Sequence, residues 1–318
     1  MIRAGVVGLG VMGKNHARVL NQLENVSLVG LFDPLLAGTD YSGLAVSNSL
    51  DEFAELEMDY CVIAVPTALH FETAMKLASF GINCLIEKPL ASSSQQALAI
   101  ETEFSSRKLT AAVGHIERYN PALIELKKKI ESGLIGDVIQ VATKRTGPFP
   151  GRIGDVGVVK DLASHDIDLT RWITGSEYDQ IFAQTRSLSG REHEDLLVSS
   201  GSLKNGIVFN HMINWLSPTK ERTTAVLGTK GMLVADSLNV DLSFFENGNV
   251  KGTWNEIAMF KGVSEGDSTK FALERNEPLL TEHRNFIKCL SGDETASIVS
   301  LSDGLAVLSV IETILEVA

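Results

Sequence analysis

The stretch MIRAGVVGLGVMGKNHARVLNQLENVSLVGLFDP, residues 1–34, decides the fold of this chain. It opens with an apolar run, Ile2–Val7, and continues into a segment whose apolar side chains recur at helical spacing. A second apolar run, Val26–Phe32, follows. A strand, a helix and a second strand in this order are typical of two parallel strands joined by a crossover helix, so the chain begins as an α/β domain.

Three glycines, Gly8, Gly10 and Gly13, stand at the junction of the first strand and the helix. In a dinucleotide-binding turn the first glycine permits the tight bend, the second lets the backbone approach a pyrophosphate, and the third lets the helix pack on the strand. The N–H groups at the start of the helix can then bind the phosphates. We therefore predict a dinucleotide site here, with Val11 and Met12 inside the same loop.

An acidic residue, Asp33, ends the second strand twenty residues after Gly13. A carboxylate at this spacing accepts hydrogen bonds from the hydroxyl groups of the adenosine ribose. It also repels the 2′-phosphate of NADP, and no Lys or Arg occurs between Arg18 and Lys76 to compensate for the charge. The sequence therefore favours NAD over NADP as the cofactor.

The alternation of apolar strands and helices continues to about residue 120. We predict that residues 1–120 form a Rossmann domain, a doubly wound parallel sheet with helices on both faces. Beyond this point the strands become longer and alternate in polarity, and Asn205-Gly206 marks a hairpin turn. We predict an α+β domain with an open, mostly antiparallel sheet in residues 121–318, whose final helices are able to pack back on the first domain.

Charge and composition exclude several classes of partner. The 318 residues include 28 basic and 40 acidic side chains, a formal charge of −12, with no basic stripe that could neutralise a nucleic-acid backbone. No apolar run is long enough to span a membrane, so we expect neither nucleic acid nor membrane as a partner. The first strand follows Met1 directly, without a leader pattern, and the three cysteines lie among apolar residues. We expect a cytoplasmic protein with reduced thiols.

A lysine follows the apolar run Ile82–Ile86 in the tripeptide Glu87-Lys88-Pro89. Ligands bind at the carboxyl ends of the strands in a doubly wound sheet, so we expect Lys88 on the nicotinamide side. Its ammonium group can donate a hydrogen bond to a substrate oxygen and stabilise an alkoxide. A Lys-Pro pair after a strand is also common in ordinary exposed loops, and on these residues alone that alternative stays open.

A second group of polar residues, Asp161, His165 and Asp168, has the spacing of one helical face. Histidine is the side chain best suited to accept a hydroxyl proton near neutral pH, and a carboxylate one turn away can orient it and raise its basicity. The alternative is a polar helix surface on which Asp168 pairs with Arg171. These residues alone leave both interpretations open.

The motifs of this chain together resemble those of the Gfo/Idh/MocA oxidoreductases. The matching segments are GLGVMG at 8–13, FDP at 32–34, PTALH at 66–70, GINCLIEKPLA at 81–91, KDLASHDIDLTRW at 160–172 and EHRNFIKCLSG at 282–292. The resemblance implies that Lys88, Asp161 and His165 line the catalytic centre. It also implies a cis peptide bond before Pro89. The residues that it adds to the cofactor site are Pro66, Thr67, His70 and Glu87.

Two further segments resemble the branch of UDP-N-acetylglucosamine 3-dehydrogenases and related nucleotide-sugar oxidoreductases. They are GHIERYNPA at 114–122 and the Gly/Pro-rich segment that leads to the helix, 147–168. This resemblance implies a substrate cleft lined by Glu117, Arg118, Tyr119 and Asn120. It also suggests that Arg152 meets a diphosphate through its planar donor fork, although a solvated loop cation is the open alternative.

These observations predict an NAD-dependent oxidoreductase that acts on a CH–OH group of a sugar or nucleotide sugar. In this hypothesis His165 takes the hydroxyl proton, Asp161 tunes His165, and Lys88 stabilises the alkoxide. The alternatives are an inositol-type dehydrogenase of free polyols or monosaccharides and a non-catalytic NAD-sensing regulator. We expect a small-molecule substrate and no metal.

The sheet of the second domain also predicts self-association. An open antiparallel sheet has one face that must be solvated or paired, and the strand at 207–216 carries Phe209, Met212 and Trp215. We expect a homodimer or homotetramer formed through that face.

Overall fold

The structure is a computed structural model that describes residues 1–151, 156–248 and 265–318. The chain forms two compact units. The first unit contains Met1–Ile116 and Glu277–Glu312, and the second contains Glu117–Asn276 and Thr313–Ala318. Arg152, the predicted diphosphate ligand, lies outside the described residues.

The described residues form eight α-helices. They are α1 (Val11–Leu20), α2 (Leu50–Ala54), α3 (His70–Ser79), α4 (Ser94–Ser106), α5 (Pro121–Glu131), α6 (Ser164–Thr174), α7 (Pro278–Leu290) and α8 (Leu301–Val317). A π-helical turn, Val159–Ala163, runs directly into α6. Short 3₁₀ turns at Thr67–Leu69 and Ile116–Tyr119 precede α3 and α5.

A seven-stranded sheet forms the centre of the first unit. Its strands are β1 (Ile2–Val7), β2 (Val26–Phe32), β3 (Asp40–Tyr41), β4 (Leu44–Ser47), β5 (Tyr60–Ile63), β6 (Asn83–Glu87) and β7 (Ala111–Gly114). The spatial order is β3-β4-β2-β1-β5-β6-β7, and every pair except β3–β4 is parallel. The strand order changes direction between β1 and β5, the position where doubly wound sheets bind ligands.

The central strands of this sheet are apolar because helices cover both of their faces. Val6, Val62 and Leu85, from three neighbouring strands, belong to one buried core cluster. Phe286 and Ile287 of α7 belong to the same cluster, although they lie near the other end of the sequence. The first unit is therefore built from two separate parts of the chain.

An eight-stranded sheet dominates the second unit. Its strands are β8 (Val138–Pro148), β9 (Tyr178–Arg186), β10 (Leu196–Leu203), β11 (Val208–Asn214), β12 (Leu216–Gly228), β13 (Gly231–Asp236), β14 (Asp241–Asn247) and β15 (Glu265–Lys270). Their order is β15-β14-β13-β12-β8-β11-β10-β9, with β8–β11 parallel and the other pairs antiparallel. Gly206, with φ of 84°, forms the predicted hairpin turn. A Rossmann sheet followed by a mostly antiparallel sheet confirms the predicted fold class.

The face of the sheet expected to mediate self-association is less apolar on β11 than its sequence suggested. Met212 is 47% exposed, whereas Phe209 and Trp215 are buried. Side chains alternate along a strand, so residues three apart point to opposite faces. Phe209 therefore packs into the core, and the homodimer or homotetramer stays a prediction. Along the described residues, none of the helices combines the length and the apolar character that a membrane crossing requires.

Candidate active site

The glycine turn after β1 has the shape that a dinucleotide requires. Gly8 has φ of 88°, and a Cβ there would lie 2.7 Å from the carbonyl oxygen of Ala64. A Cβ on Gly13 would overlap the carbonyl oxygen of Gly8. Around Gly10, in contrast, a Cβ would meet no atom within 4 Å, and no side chain caps the start of α1 there. Open space above uncapped N–H groups fits a pyrophosphate.

Asp33 is held beside this turn by two main-chain hydrogen bonds. Its Oδ2 accepts the N–H of Leu9 at 2.8 Å, and its Oδ1 accepts the N–H of Leu35 at 2.9 Å. Each carboxylate oxygen can accept two hydrogen bonds, so both keep capacity for a ribose hydroxyl. The turn and Asp33 together fit NAD.

His70 connects the two loops that follow β5 and β6. Its Nδ1 lies 2.9 Å from the carbonyl oxygen of Pro89, and its Nε2 lies 3.0 Å from that of Val65. The ring is buried, and burial lowers the pKa of His70 despite these carbonyl contacts. His70 therefore holds the loop of Pro66 and Thr67 against the segment after β6. Direct contact of these three residues with a cofactor stays a prediction.

The segment Glu87-Lys88-Pro89 follows β6 at the carboxyl edge of the parallel sheet, as predicted. The Lys88–Pro89 bond is cis, as the family resemblance implied. The Glu87 carboxylate is buried, with Oε1 2.9 Å from Nε2 of His16 and Oε2 accepting the N–H of Lys88 at 3.2 Å. Burial acts to raise the pKa of Glu87, but the hydrogen bond from His16 and the positive charges nearby outweigh it and lower the pKa overall. Glu87 is therefore an anion next to Lys88.

Asp161 and His165 lie on either side of the transition from the π-helical turn to α6. Glu194 supports the start of this turn, because its Oε1 accepts the N–H of Val159 at 3.0 Å and its main-chain oxygen accepts that of Val158 at 2.9 Å. Helical segments of the π type are frequent at functional sites. Asp161 and His165 are both partly exposed, although Nδ1 of His165 is buried.

Asp161 lies on the wall of a cavity of about 270 Å³ within the second unit. The other charged side chains of this wall are Lys220 and Arg222, and its aromatic side chains are Phe149 and Trp215. The remaining lining residues are Thr146, Gly147, Pro148, Pro150 and Leu162. We call this space the Asp161 cavity.

Arg222, one of the two cations of this wall, has an N–H group that lacks a hydrogen-bond acceptor among the described residues. Its Nη1 atom is buried and has no hydrogen-bond partner among the described residues. Burial and the neighbouring charge of Arg145 lower the pKa of Arg222, while nearby carboxylates act against this shift. A buried donor of this kind would be satisfied by an anionic ligand group. Arg191 adds a further cation behind the aromatic wall, with its guanidinium 3.7 Å from the centre of the Phe149 ring.

The predicted substrate residues Glu117 and Arg118 take part in buried ion pairs. Glu117 accepts a hydrogen bond from Arg145 at 2.8 Å, and Arg145 also donates to Asp166 at 2.7 Å. Burial would raise the pKa of Glu117, but the charge of Arg145 reverses this and lowers it. Arg118 binds Asp168 through two hydrogen bonds of 2.8 and 2.6 Å. These pairs give both residues a structural role, and their contact with substrate stays a prediction.

The neighbouring residues Tyr119 and Asn120 are also buried. The Asn120 side chain caps α5 by accepting the N–H of Ala122 at 3.0 Å, and it donates to the carbonyl oxygen of Ser237 at 3.0 Å. Arg171 pairs with Glu177. Asp168 pairs with Arg118, and its pairing with Arg171, raised as an alternative from the sequence, stays a prediction.

Several residues of these sites were not identified from the sequence. They are His16, Tyr60 and His283 of the first unit, and Arg145, Asp166, Glu194, Lys220 and Arg222 of the second. A usable signal existed for His16, a polar residue on the apolar face of α1, and for Arg145, which follows Val141 and Thr143 at inward positions of β8. The described residues contain no group of three or more His, Cys, Asp or Glu side chains that could hold a metal ion.

The sequence is similar to characterised dehydrogenases over most of its length. It is 29% identical to UDP-N-acetylglucosamine 3-dehydrogenase from Acidithiobacillus ferrooxidans over 252 residues, which cover 78% of each chain. It is 24% identical to scyllo-inositol 2-dehydrogenase (NAD(+)) from Bacillus subtilis over 317 residues, which cover 94% of this chain and 89% of that one. A solved structure of UDP-N-acetylglucosamine 3-dehydrogenase GnnA from Acidithiobacillus ferrooxidans has a TM-score of 0.86 at 24% identity, covering 100% of this chain and 97% of that one.

Two family models match successive parts of the chain. Residues 2–115 match the oxidoreductase family with an NAD-binding Rossmann fold, and residues 123–234 match the GFO/IDH/MocA C-terminal domain. Together they cover more than half of the sequence, including the whole first sheet and strands β8 to β12 of the second. The chain belongs to the Gfo/Idh/MocA family of oxidoreductases.

Proposed function

We propose that this protein is an NAD-dependent dehydrogenase of a secondary alcohol, and that its substrate is a nucleotide sugar. The observation that carries the proposal is the Asp161 cavity, in which a carboxylate of the predicted catalytic helix faces the same space as Lys220 and Arg222. A cavity with one acid, two cations and two aromatic rings suits a ligand that joins a polar ring to an anionic group. A bound nicotinamide ring supplies the hydride acceptor, or in the reverse direction the hydride.

In this proposal each of the three predicted catalytic residues has a separate task. His165 accepts the proton of the substrate hydroxyl group, because an imidazole is the side chain best suited to do so near neutral pH. Asp161 orients His165 and increases its basicity. Lys88, at the carboxyl edge of the parallel sheet, donates a hydrogen bond to the oxygen that gains negative charge. The same groups serve ketone reduction.

The anionic part of the substrate is assigned from the charges of the Asp161 cavity. Arg222 has a buried donor without a partner, and a phosphate or diphosphate oxygen would satisfy it. A neutral polyol would offer that donor only an uncharged hydroxyl oxygen, which is a weaker acceptor for a guanidinium group than a phosphate oxygen. Similarity to UDP-N-acetylglucosamine 3-dehydrogenase supports the same substrate class.

Asp33 supports NAD rather than NADP. Its carboxylate is fixed by the N–H groups of Leu9 and Leu35, so it cannot easily turn away from a 2′-phosphate. The fixed carboxylate of Asp33 and the 2′-phosphate of NADP would repel each other.

A single assay tests the substrate class, the cofactor and the enzymatic nature of the protein. The purified full chain is supplied with NAD or NADP and with UDP-N-acetylglucosamine, UDP-glucose, N-acetylglucosamine, myo-inositol or scyllo-inositol, and the reduced cofactor is followed by absorbance. We expect kcat/KM with NAD to be at least about tenfold higher for a UDP-sugar than for the free sugars and inositols. Faster oxidation of an inositol would overturn the nucleotide-sugar assignment. NAD binding without turnover on any of these substrates would overturn the enzymatic proposal and favour an NAD-sensing regulator.

A further inference from the structure

A continuous chain of hydrogen bonds runs through the core of the first unit. The hydroxyl group of Tyr60 lies 3.0 Å from Nδ1 of His283, and Nε2 of His283 lies 2.9 Å from Nδ1 of His16. Nε2 of His16 lies 2.9 Å from Oε1 of Glu87. These side chains come from β5, α7, α1 and β6. We call Tyr60, His283, His16 and Glu87 the buried hydrogen-bond chain.

The order of donors and acceptors in this chain follows from its two ends. Ionised Glu87 can only accept, so Nε2 of His16 must carry the hydrogen. Burial and the neighbouring His16 lower the pKa of His283, which is therefore neutral with a single N–H. When each ring carries a single hydrogen, one arrangement satisfies every group: Tyr60 donates to His283, His283 donates to His16, and His16 donates to Glu87. Each hydrogen bond fixes the tautomer of the next ring.

The buried hydrogen-bond chain does not lead to solvent. Tyr60, His16 and His283 each have 0% exposure, so protons cannot leave through the tyrosine end. The hydroxyl group of Tyr60 is not acidic, because burial raises its pKa. The chain is therefore unsuited to carry protons, and its geometry suits a positioning role.

The other end of the chain reaches the segment with the proposed catalytic lysine. Glu87 uses its second oxygen to accept the N–H of Lys88 at 3.2 Å. The space for this carboxylate is limited, because a Cβ on Gly114 would lie 3.3 Å from Oε2 of Glu87. Burial and the charge of Glu87 raise the pKa of the neighbouring acid Glu282.

We propose that Tyr60, His283 and His16 are positioning residues for Lys88, acting through Glu87. They hold the Glu87 carboxylate in one orientation, and Glu87 fixes the main chain of Lys88 and places a negative charge next to it. His283 belongs to α7, so a helix near the far end of the sequence contributes to the segment after β6. The role of Lys88 in catalysis rests on the function proposed above, whereas the hydrogen-bond order and its effect on Lys88 do not.

The hydrogen-bond order is tested without substrate by NMR of the full chain labelled with ¹⁵N-histidine. We expect His16 and His283 both as Nε2–H tautomers, and we expect Glu87→Gln to shift the signals of both rings. Nδ1–H tautomers, or a His283 signal that does not respond to Glu87→Gln, would overturn the proposal.

The effect on Lys88 is tested by its rate of acetylation with an N-hydroxysuccinimide ester, read by peptide mass spectrometry. Tyr60→Phe keeps the ring packed on Phe286 and removes only the hydroxyl group. We expect it to change the rate at Lys88 by at least about twofold, the low end of coupling within one hydrogen-bond network, and to leave Lys76 unchanged. The matched control is Tyr178→Phe, which removes a buried hydroxyl group from His211 in the second unit. Equal effects of the two variants at Lys88 would mean that only general stability changed.

Where the wild type shows dehydrogenase activity, a double-mutant cycle adds a kinetic test. His16→Leu and Glu87→Gln should each lower kcat by about tenfold or more, with little effect on the KM for NAD. The kcat of the double variant should equal that of the slower single variant, because His16 acts on Lys88 only through Glu87. His16→Gln keeps an N–H donor and should recover most of the activity. Effects that multiply, or no recovery with Gln, would indicate a merely structural role.

Discussion

Arg145 and Arg222 lie directly opposite each other on the neighbouring strands β8 and β12. Like charges in opposed positions of an antiparallel pair destabilise a sheet. Glu117 and Asp166 compensate Arg145 through two short ion pairs, but Nη1 of Arg222 has no such partner among the described residues. A buried donor without a partner lowers stability, and such a cost is typical of functional sites, where stability is given up for binding. We therefore expect an anionic ligand to provide the hydrogen-bond acceptor that Nη1 of Arg222 lacks among the described residues.

Replacing Arg222 with Met should separate binding from stability. We expect kcat/KM for UDP-N-acetylglucosamine to fall on the order of tenfold to a hundredfold, because a buried charge-assisted hydrogen bond to the substrate is lost. The free energy of unfolding should stay the same or increase, since the repulsion with Arg145 disappears. Urea unfolding and steady-state kinetics measure the two effects. Lys144→Met, at an exposed ion pair on the same sheet, is the control and should change neither.

Alanine at Gly10 and at Gly13 should give opposite results. Gly10→Ala meets no atom of the protein, so we expect unchanged thermal stability and NAD affinity reduced by about tenfold or more, because the methyl group occupies the space of the pyrophosphate. Gly13→Ala overlaps a main-chain oxygen, so we expect it to lower Tm as well. Calorimetric titration with NAD and thermal unfolding measure both. Full NAD affinity in Gly10→Ala would remove the loop from the cofactor site.

Lys88 and His165 should affect turnover rather than cofactor binding. Lys88→Met and His165→Ala should each lower kcat by about a hundredfold, the usual contribution of a positioned acid or base, while the Kd for NAD changes little. Lys76→Met removes a lysine on the surface of α3 and serves as the control. Wild-type turnover in both variants would exclude these residues from the mechanism.

A buried histidine in the second unit predicts how stability responds to acid. His211 contacts the hydroxyl groups of Thr143 and Tyr178 at 2.8 Å each, and burial lowers its pKa to about 3. An unfolded histidine titrates near pH 6.5, so between about pH 6.5 and 3 the unfolded chain binds one proton more than the folded chain. His211 thus lowers stability on acidification by about 1.4 kcal/mol per pH unit in this window, and has no such effect above it.

His211→Gln tests this assignment because it removes the titrating group. Urea unfolding at several pH values between 4 and 7.5, a range chosen around the unfolded pKa of about 6.5, should give a shallower dependence by about one proton. Tyr178→Phe is the control: it should lower stability by a similar amount at every pH, since His211 still titrates. An unchanged slope in His211→Gln would show that His211 binds its proton equally in the folded and the unfolded chain.

Part of the regular secondary structure could be predicted from the sequence, because those helices and strands depend on local patterns of apolar residues. β1 and β2 have the bounds of their apolar runs. Strands β12 to β15 were not assigned individually, because β12 carries a mixed polar sequence whose pairing depends on distant partners. The polar segment at residues 40–47 similarly gave no clear pattern for the short strands β3 and β4 at one side of the sheet.

The candidate site could be predicted only where motifs report it. The glycine turn, Asp33 and the position of Lys88 after β6 follow from spacing alone. Arg118, in contrast, was expected to bind substrate but directs two of its N–H groups to Asp168, fifty residues away. No local pattern identifies such a partner. The same limitation hid the contact of His16 with His283, which is 267 residues distant.

The return of α7 to the first sheet affects the order in which the protein is completed during synthesis. Ala4 and Val6 leave the ribosome early, yet Phe286 of the same core cluster emerges only after all of Glu117–Asn276 has been made. The N–H group of Val113 likewise gains its hydrogen-bond acceptor, the carbonyl oxygen of Val299 at 2.9 Å, only late in synthesis. Domains usually fold from the N-terminus onward during translation. Here most of the second unit is synthesised before the first unit is complete. The first unit can complete its core only after α7 and the start of α8 have been synthesised.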